Sequence, residues 1–266
     1  MAPCAEAEKP QLLAGTAHVE LLARQLTGEE WDIHTLIPPG MCPGHYDAKP
    51  SDIAALAEAR LIVLQTWQQP MAHVRKALKA ASVPGDRVTY VPVDGNWMVP
   101  PVRQRAIQAM SKLLSEARPE SGQRYMERAE KLAAETDKTT RKLRARFEEL
   151  RTKGLKVICN TMQEGFVRWA GFEVVDTYGR PEDLSVAEVQ RLITLAREAG
   201  VALVVDNLQS GDVRMGGTMA REAGAVQVVL NNFPGARDPK ETWTKAVEQN
   251  AAALETAVNA WRTRHE

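Results

Sequence analysis

The chain has 266 residues, 34 lysine and arginine against 34 aspartate and glutamate, and is 44% hydrophobic but only 5% aromatic. No apolar run approaches the roughly 18 residues of a membrane span, and zero formal net charge removes the long-range field that non-specific nucleic-acid or acidic-membrane binding depends on. Three cysteines, Cys4, Cys42 and Cys159, are too few and too scattered for a disulfide framework, and no CxxC pair marks a structural zinc.

A chain of this length divides most readily into two domains of about 100 to 150 residues each. The first ten residues hold no apolar h-region, so an export signal has been removed or was never present. Their small-residue run also suits the tail of a signal peptide, with Cys4 as a candidate for lipidation.

From Gln11 to about Val93, β-rich runs alternate with helical stretches. The strands are Leu12 to Gly15, Trp31 to Ile37, Leu61 to Gln65 and Val88 to Val91, with helices starting at Thr16, Pro50 and Pro70. Repeated β-α units imply a parallel sheet. From Glu120 to Lys153 no proline or strand intervenes, and apolar groups recur at spacings of three and four, which is helical. About 30 residues at 1.5 Å each span roughly 45 Å, so this segment reads as a rigid connector ending at Gly154.

The alternation then resumes, with strands Leu155 to Cys159, Glu173 to Asp176, Val201 to Asp206 and Val226 to Leu230. Helices are expected through Phe166 to Ala170, from Ser185 to Ala199, through Met219 and from Pro239 to about Arg264. Ser185 and Glu188 have the spacing of a capping box. The expected fold is α/β: two lobes of parallel β-α units joined by one long rigid helix, with a ligand cleft between the lobes. The divisions are 10–118 for the first lobe, 119–153 for the linker and 154–266 for the second lobe.

Ligands of open parallel sheets bind beyond the carboxyl ends of the strands, which directs attention to five loops. After Ile37, the run Pro38 to Asp52 gathers Met41, Cys42, His45 and Asp47 within seven residues. A soft or borderline ion such as Zn, Cu(I), Ni or Co accepts thiol and imidazole together, whereas Ca and Mg do not. The same run also suits a proline-braced turn whose His45 and Tyr46 bond nearby backbone. After Val91, Asp94, Gly95, Asn96, Trp97 and Met98 follow a strand, in a pattern that ordinary turn chemistry also produces. After the third strand end come Cys159, Asn160, Thr161 and Met162, where Asn160 or Thr161 could equally cap a helix. Asp206-Asn207 and Asn231-Asn232 close two further strands. His18, His34, His73 and His265 read as structural or solvated. No GxSxG, HExxH, GxxxxGK[ST] or GxGxxG pattern is present.

Taken in chain order, these pieces resemble the metal-specific substrate-binding proteins of ABC transporters, the zinc- and manganese-uptake type called cluster A-I. The resemblance covers nearly the whole chain. Its carriers are Leu36-Ile37-Pro38-Pro39-Gly40, Pro43-Gly44-His45-Tyr46-Asp47, Pro50-Ser51-Asp52-Ile53, Ala57 to Val63, Asn96-Trp97 with Pro100, Tyr125 in the long helix, Gly171, and Trp243 to Asn250. The resemblance implies two α/β lobes, a metal held between them, and delivery to a membrane permease powered by an ATPase. It implies no enzymatic activity, a monomer without nucleic-acid partners, and a place on the periplasmic or extracellular face, with a lipid anchor if Cys4 is modified.

The departures fall on the family's ligand positions. The histidine of its first loop aligns with Gly44, that of its second with Gly95, the third ligand with Asn160 and the acidic fourth with Asn231 or Asn232. Three readings follow. In the first, a transition-metal cargo (Zn foremost, with Co, Ni, Cu or Mn as alternatives) is held by a shifted set: Cys42, His45, Cys159 and Asp206, with Asp94 or a methionine such as Met162 nearby. In the second, a metal chelate meets Asn160, Asn231 and Asn232, with Trp97 as an apolar wall and room opened by Gly44 and Gly95. In the third, binding has been lost. A Cys42–Cys159 disulfide would mark a redox-switched form. A different class, a cytosolic chelatase-like or hydrolytic enzyme, would use His45 as acid/base and Asp94 or Asp206 to orient it.

Overall fold

The computed structural model describes residues 9–265, so Cys4 lies outside the described residues. The chain folds as two compact units. The first holds the described residues up to Asp94 together with Gln104–Ala134; the second holds Gly95–Arg103 and the described residues from Glu135 onward. Among the described residues no helix is long and apolar enough to cross a membrane.

The first unit carries β1 (Gln11–Thr16), α1 (Ala17–Thr27), β2 (Asp32–Ile37), α2 (Pro50–Glu58), β3 (Leu61–Gln65), α3 (Ala72–Ala80) and β4 (Val88–Val91). Its sheet is wholly parallel, in the order β2-β1-β3-β4. A parallel sheet has both faces covered, and β3 accordingly reads as one unbroken apolar run with Ile62, Val63 and Leu64 fully buried. One face packs with Leu13, Leu36, Leu56, Leu64, Val74 and Ala77 in a single cluster. Helix α1 starts after Thr16 and ends at Gly28, where φ is +64°.

Two long helices follow: α4 (Pro100–Ala117) and α5 (Gly122–Glu149), of 18 and 28 residues. Helix α4 was not expected from the sequence. Its signals are a Pro-Pro start, which suits a first helical turn, and buried Val102, Ala106, Ile107, Met110 and Leu114 at helical spacing. The amino-terminal half of α5 is tied into the first unit through Glu30. That carboxylate accepts from Ser121 Oγ (2.6 Å) and Tyr125 OH (2.9 Å) and pairs with Arg124 (3.2 Å).

The second unit carries β5 (Lys156–Asn160), α6 (Glu164–Trp169), β6 (Glu173–Tyr178), α7 (Val186–Ala199), β7 (Leu203–Asn207), α8 (Arg214–Ala223), β8 (Val226–Leu230) and α9 (Trp243–His265). Its parallel sheet runs β6-β5-β7-β8, repeating the permutation of the first. Ile158, Tyr178 and Val204 share a cluster with Leu192, Ile193, Met219 and Ala220 of α7 and α8. Ser185 Oγ caps α7 by accepting from Glu188 N (3.2 Å), but the Glu188 carboxylate engages Arg191 (2.7 Å) rather than completing a capping box. Helix α9 is held to the carboxyl half of α5 by Lys142–Glu248 (2.7 Å), Arg146–Glu255 and Arg262 donating to Leu150 O (2.8 Å).

Candidate functional site

In an open sheet of order 2-1-3-4 the connections reverse direction between the two central strands, and ligands favour the crevice at their carboxyl ends. For these two sheets the reversal falls between β1 and β3, and between β5 and β7.

The thiol–imidazole loop of the first unit follows β2. Residues Pro43–His45 form one 3-10 turn, closed by His45 N–H donating to Cys42 O (3.0 Å). Met41 is 37% exposed, Cys42 half-buried and His45 exposed. The turn is anchored from below: Tyr46 is 3% exposed, its OH donates to the Asp52 carboxylate, and Asp52 also accepts the Lys49 N–H (2.7 Å). Burial first, then the hydrogen bond to Asp52 and its charge, push the Tyr46 hydroxyl well above the usual phenol range. The His73 ring meets Tyr46 edge-on at 6.3 Å, and its Nε2 is enclosed without a hydrogen-bond partner. Asp94, in the loop after β4, accepts from Thr66 Oγ1 (2.6 Å) just beyond β3.

At the strand ends of the second unit the candidate residues separate. Cys159 is fully buried in β5, facing away from Ile158, and burial pushes its thiol up to about 12. Cys42 and Cys159 are both free thiols. Asp206 is 4% exposed; its Oδ1 accepts from Tyr178 OH and its Oδ2 from Gln227 Nε2, both at 2.6 Å. Burial raises its pKa against those two bonds. Above it, Gly216 leaves only the space the carboxylate fills, since a Cβ there would stand 2.0 Å from Asp206 Oδ2. Both groups lie within the fold in this arrangement.

Asn160 is also enclosed: its Oδ1 accepts from Met162 N (3.0 Å) and its Nδ2 donates to Gly179 O (3.1 Å). Asn96 Nδ2 donates to Met162 O (3.0 Å) and its Oδ1 accepts from Met98 N (2.8 Å). Trp97 is 1% exposed and packs inside the second unit, where its carbonyl accepts from Trp243 Nε1 (2.9 Å). The Trp243 ring lies 4.7 Å beneath the buried guanidinium of Arg103, which desolvation pushes down to about 9 despite the Glu135 charge. Met162 is 54% exposed. Gly44 lies in the 3-10 turn, and Gly95 has φ +101°, a conformation that side-chain-bearing residues rarely adopt. Asn231 and Asn232 follow β8: Asn231 N–H donates to Asn250 Oδ1 (2.9 Å), and Asn232 N–H to Gln209 Oε1 (3.0 Å).

Four buried glutamines that were not expected from the sequence complete these strand ends: Gln65, Gln68, Gln163 and Gln209, each at most 2% exposed. Their signal was a carboxamide closing an apolar run with a glutamine three residues on, as in Gln65-Thr66-Trp67-Gln68 and Asn160-Thr161-Met162-Gln163. Thr16 Oγ1 donates to Gln65 Oε1 (2.8 Å) across the β1/β3 reversal, and Gln163 Nε2 donates to Asn207 Oδ1 (2.9 Å) across the β5/β7 reversal. Among the described residues no group of three or more His, Cys, Asp or Glu side chains is arranged to hold a metal ion. A groove of about 610 Å³ lies along α4 and α5, lined by Ser111, Ser115, Met126 and Ala129 among others, and includes none of the candidate residues.

Residues 13–257 match the model of one family, described as the zinc-uptake complex component A, periplasmic (ZnuA). The chain belongs to that family. A crystal structure of ZnuA superposes with a TM-score of 0.77 at 19% identity, covering 94% of this chain and 99% of that one. A manganese-bound periplasmic metal binding protein from Candidatus Liberibacter asiaticus gives 0.77 at 13% identity over 94% and 100% of the two chains. Its cadmium-bound form gives 0.78 at 14% over the same shares. No curated protein gives a significant sequence match. At these identities the structural likeness establishes the fold, and the family match establishes the kinship with a metal-uptake component.

Proposed function

We propose that this chain is the extracytoplasmic solute-binding component of an ABC importer, and that its cargo contains a transition metal whose accessible protein donors are Cys42 and His45. The observation that carries the donor assignment is the thiol–imidazole turn of Cys42 to His45, in which Cys42 is half-buried and His45 exposed, fixed by the partly buried Tyr46–Asp52 bond. The family match over residues 13–257 supports the importer role. Of the other candidate ligands, Cys159 is a thiol held protonated in the core and Asp206 already accepts two hydrogen bonds. Thiol and imidazole together suit zinc or a softer ion. In this reading the chain works as a monomer on the periplasmic or extracellular face, handing cargo to a membrane permease driven by an ATPase. The chelatase-like or hydrolytic alternative is disfavoured because Asp94 and Asp206, its orienting carboxylates, are bonded to Thr66 and to Tyr178 instead.

The test is elemental analysis of protein purified without chelator, followed by thermal shifts against Zn, Mn, Co, Ni and Cu(I). A ligand specific for the folded state stabilises by about 2.7 kcal/mol at a hundredfold excess over its Kd. Cys42→Ser and His45→Ala are each expected to weaken binding by more than the 10- to 100-fold typical of losing a supporting group. Unchanged affinity in both variants refutes the donor assignment, and absence of metal in any form refutes the cargo.

A further inference from the structure

The loop after β2 is built from two successive closed turns. Met41 N–H donates to Pro38 O (3.0 Å) and His45 N–H to Cys42 O (3.0 Å), so Met41 and Cys42 stand at the junction of the two. Pro38, Pro39 and Pro43 fix their own φ angles, and the buried Tyr46, bonded to Asp52, holds the exit. Cys42 is the cap residue of the Pro43–His45 turn, yet its side chain makes no capping bond, and its thiol is free of any disulfide. His45 is the third residue of that turn. A cap and the third residue after it are the two whose side chains reach each other's backbone in a capping box, and a 3-10 turn likewise aligns residues three apart. This backbone therefore places positions 42 and 45 on the same side of one turn. Met41, the next residue before Cys42, is 37% exposed.

The number of donors decides which ion suits such a turn. Zinc sites take three or four Cys, His or carboxylate donors from the protein. Among the described residues no group of three or more such side chains could hold a metal ion, so Asp47, although only two residues beyond His45, does not complete one with Cys42 and His45. Manganese asks for a larger, oxygen-rich set. What the loop offers is one thiol, one imidazole and one thioether. The thioether of methionine is neutral and polarizable, and thiolate with thioether selects Cu(I), a soft monovalent ion that is content with few donors. All three groups belong to five consecutive residues of the first unit, so no other element has to supply a ligand.

We propose that Met41, Cys42 and His45 form a self-contained site for Cu(I), with the Met41 thioether as the donor that sets the preference for copper over zinc. This rests on the reading that Cys42 and His45 bind the cargo metal, and it specifies the ion. On binding, the Cys42 thiol releases its proton to solvent and its sulfur donates an electron pair, as do the Met41 sulfur and a ring nitrogen of His45. Copper stays monovalent throughout, so the step consumes no oxidant or reductant.

The test uses the full chain stripped of metal and kept anaerobic, with Cu(I) delivered as its bicinchoninate complex and zinc chloride as the two probes. The unaltered chain is expected to withdraw one Cu(I) from the chelator and to bind it about a hundredfold or more tighter than zinc. Met41→Leu, close in volume, is expected to weaken Cu(I) by about tenfold or more and to leave zinc unchanged, a change of preference that damage to the fold would not produce. Cys42→Ser is expected to abolish Cu(I) binding, whereas Cys4→Ser, the control for the other accessible-thiol candidate, is expected to bind as the unaltered chain does. Zinc bound as tightly as Cu(I), or Met41→Leu holding Cu(I) unchanged, overturns the copper inference and leaves the Cys42 and His45 reading standing. Loss of Cu(I) in Cys4→Ser overturns the self-contained site. Neither ion bound by the unaltered chain overturns both the inference and the reading beneath it.

Discussion

Gly216→Ala isolates the constraint that keeps Asp206 within the fold. Alanine in a helix interior is favoured over glycine by about 1 kcal/mol, so α8 alone would gain stability. The new Cβ, however, would stand 2.0 Å from Asp206 Oδ2 and 2.4 Å from its Cγ. The carboxylate cannot swing aside freely, because Tyr178 OH and Gln227 Nε2 hold its two oxygens at 2.6 Å. Losing hydrogen bonds to a charged group costs about 1.5 to 3 kcal/mol each, and forcing helix and strand apart costs about 1 to 3 kcal/mol. With the propensity gain subtracted, the variant is expected to lose about 2 to 4 kcal/mol by urea denaturation followed by circular dichroism. In an Asp206→Ala background the same change should be neutral or stabilising by up to about 1 kcal/mol, giving a coupling of roughly 2 kcal/mol or more. If Gly216→Ala stabilises the otherwise unaltered chain, the carboxylate is not pinned there, and its exclusion from the cargo donors loses its physical basis.

Glu30→Gln should lower stability by roughly 1 kcal/mol, a modest figure because the carboxylate is partly in water. Burial raises the Glu30 pKa, but the bonds from Ser121, Tyr125 and Arg124 outweigh it and leave the value lowered. Its contribution is therefore present above the unfolded value of about 4.3 and lost as pH falls through the folded one; melting curves from pH 7 to pH 3 should converge for the two proteins. Trp243→Phe removes the donor to the buried Trp97 carbonyl and should cost about 1 to 3 kcal/mol by chemical denaturation; an unchanged midpoint would show that another donor satisfies that oxygen. Alkylation with iodoacetamide under native conditions should label Cys42 and spare Cys159, whose thiol is buried and held protonated. Peptide mapping that finds both cysteines labelled at equal rates would contradict the burial of β5.

The strands were legible because a parallel sheet covered on both faces demands short unbroken apolar runs, and Leu61 to Leu64 and Val201 to Val205 are such runs. Helix α4 was not read, although Pro100-Pro101 opens it and Val102, Ile107, Met110 and Leu114 mark its buried face; the turn-like Asp94-Gly95-Asn96 before it masks the start. Residue type alone singled out Cys42, His45, Cys159 and Asp206 as candidate donors, but exposure depends on which way a strand faces. Asp206 shares the face of Val204 against α8, a matter of register that no single residue announces. The glutamines escaped because a carboxamide followed three residues on by a glutamine also suits an ordinary turn until its partner in the neighbouring strand is known.

The residues standing where the family resemblance expects ligands are built into their surroundings. Gly95 sits at φ +101°, where a histidine would be strained whatever space surrounds it. Asn160 closes the turn after β5 through Met162 N and reaches across to Gly179 O, so an imidazole there would have to reproduce a donor and an acceptor at once. Asn231 organises the chain after β8 through Gln209, Phe233 and Asn250. A site that had merely lost its ligands would leave gaps or unsupported loops at those places. Here each substituted position carries backbone hydrogen bonds or backbone geometry of its own. Restoring a metal ligand at any one of these positions would therefore also have to replace the hydrogen bond or the backbone conformation that the present residue supplies, so a single reverting substitution is expected to cost stability before it can gain a donor.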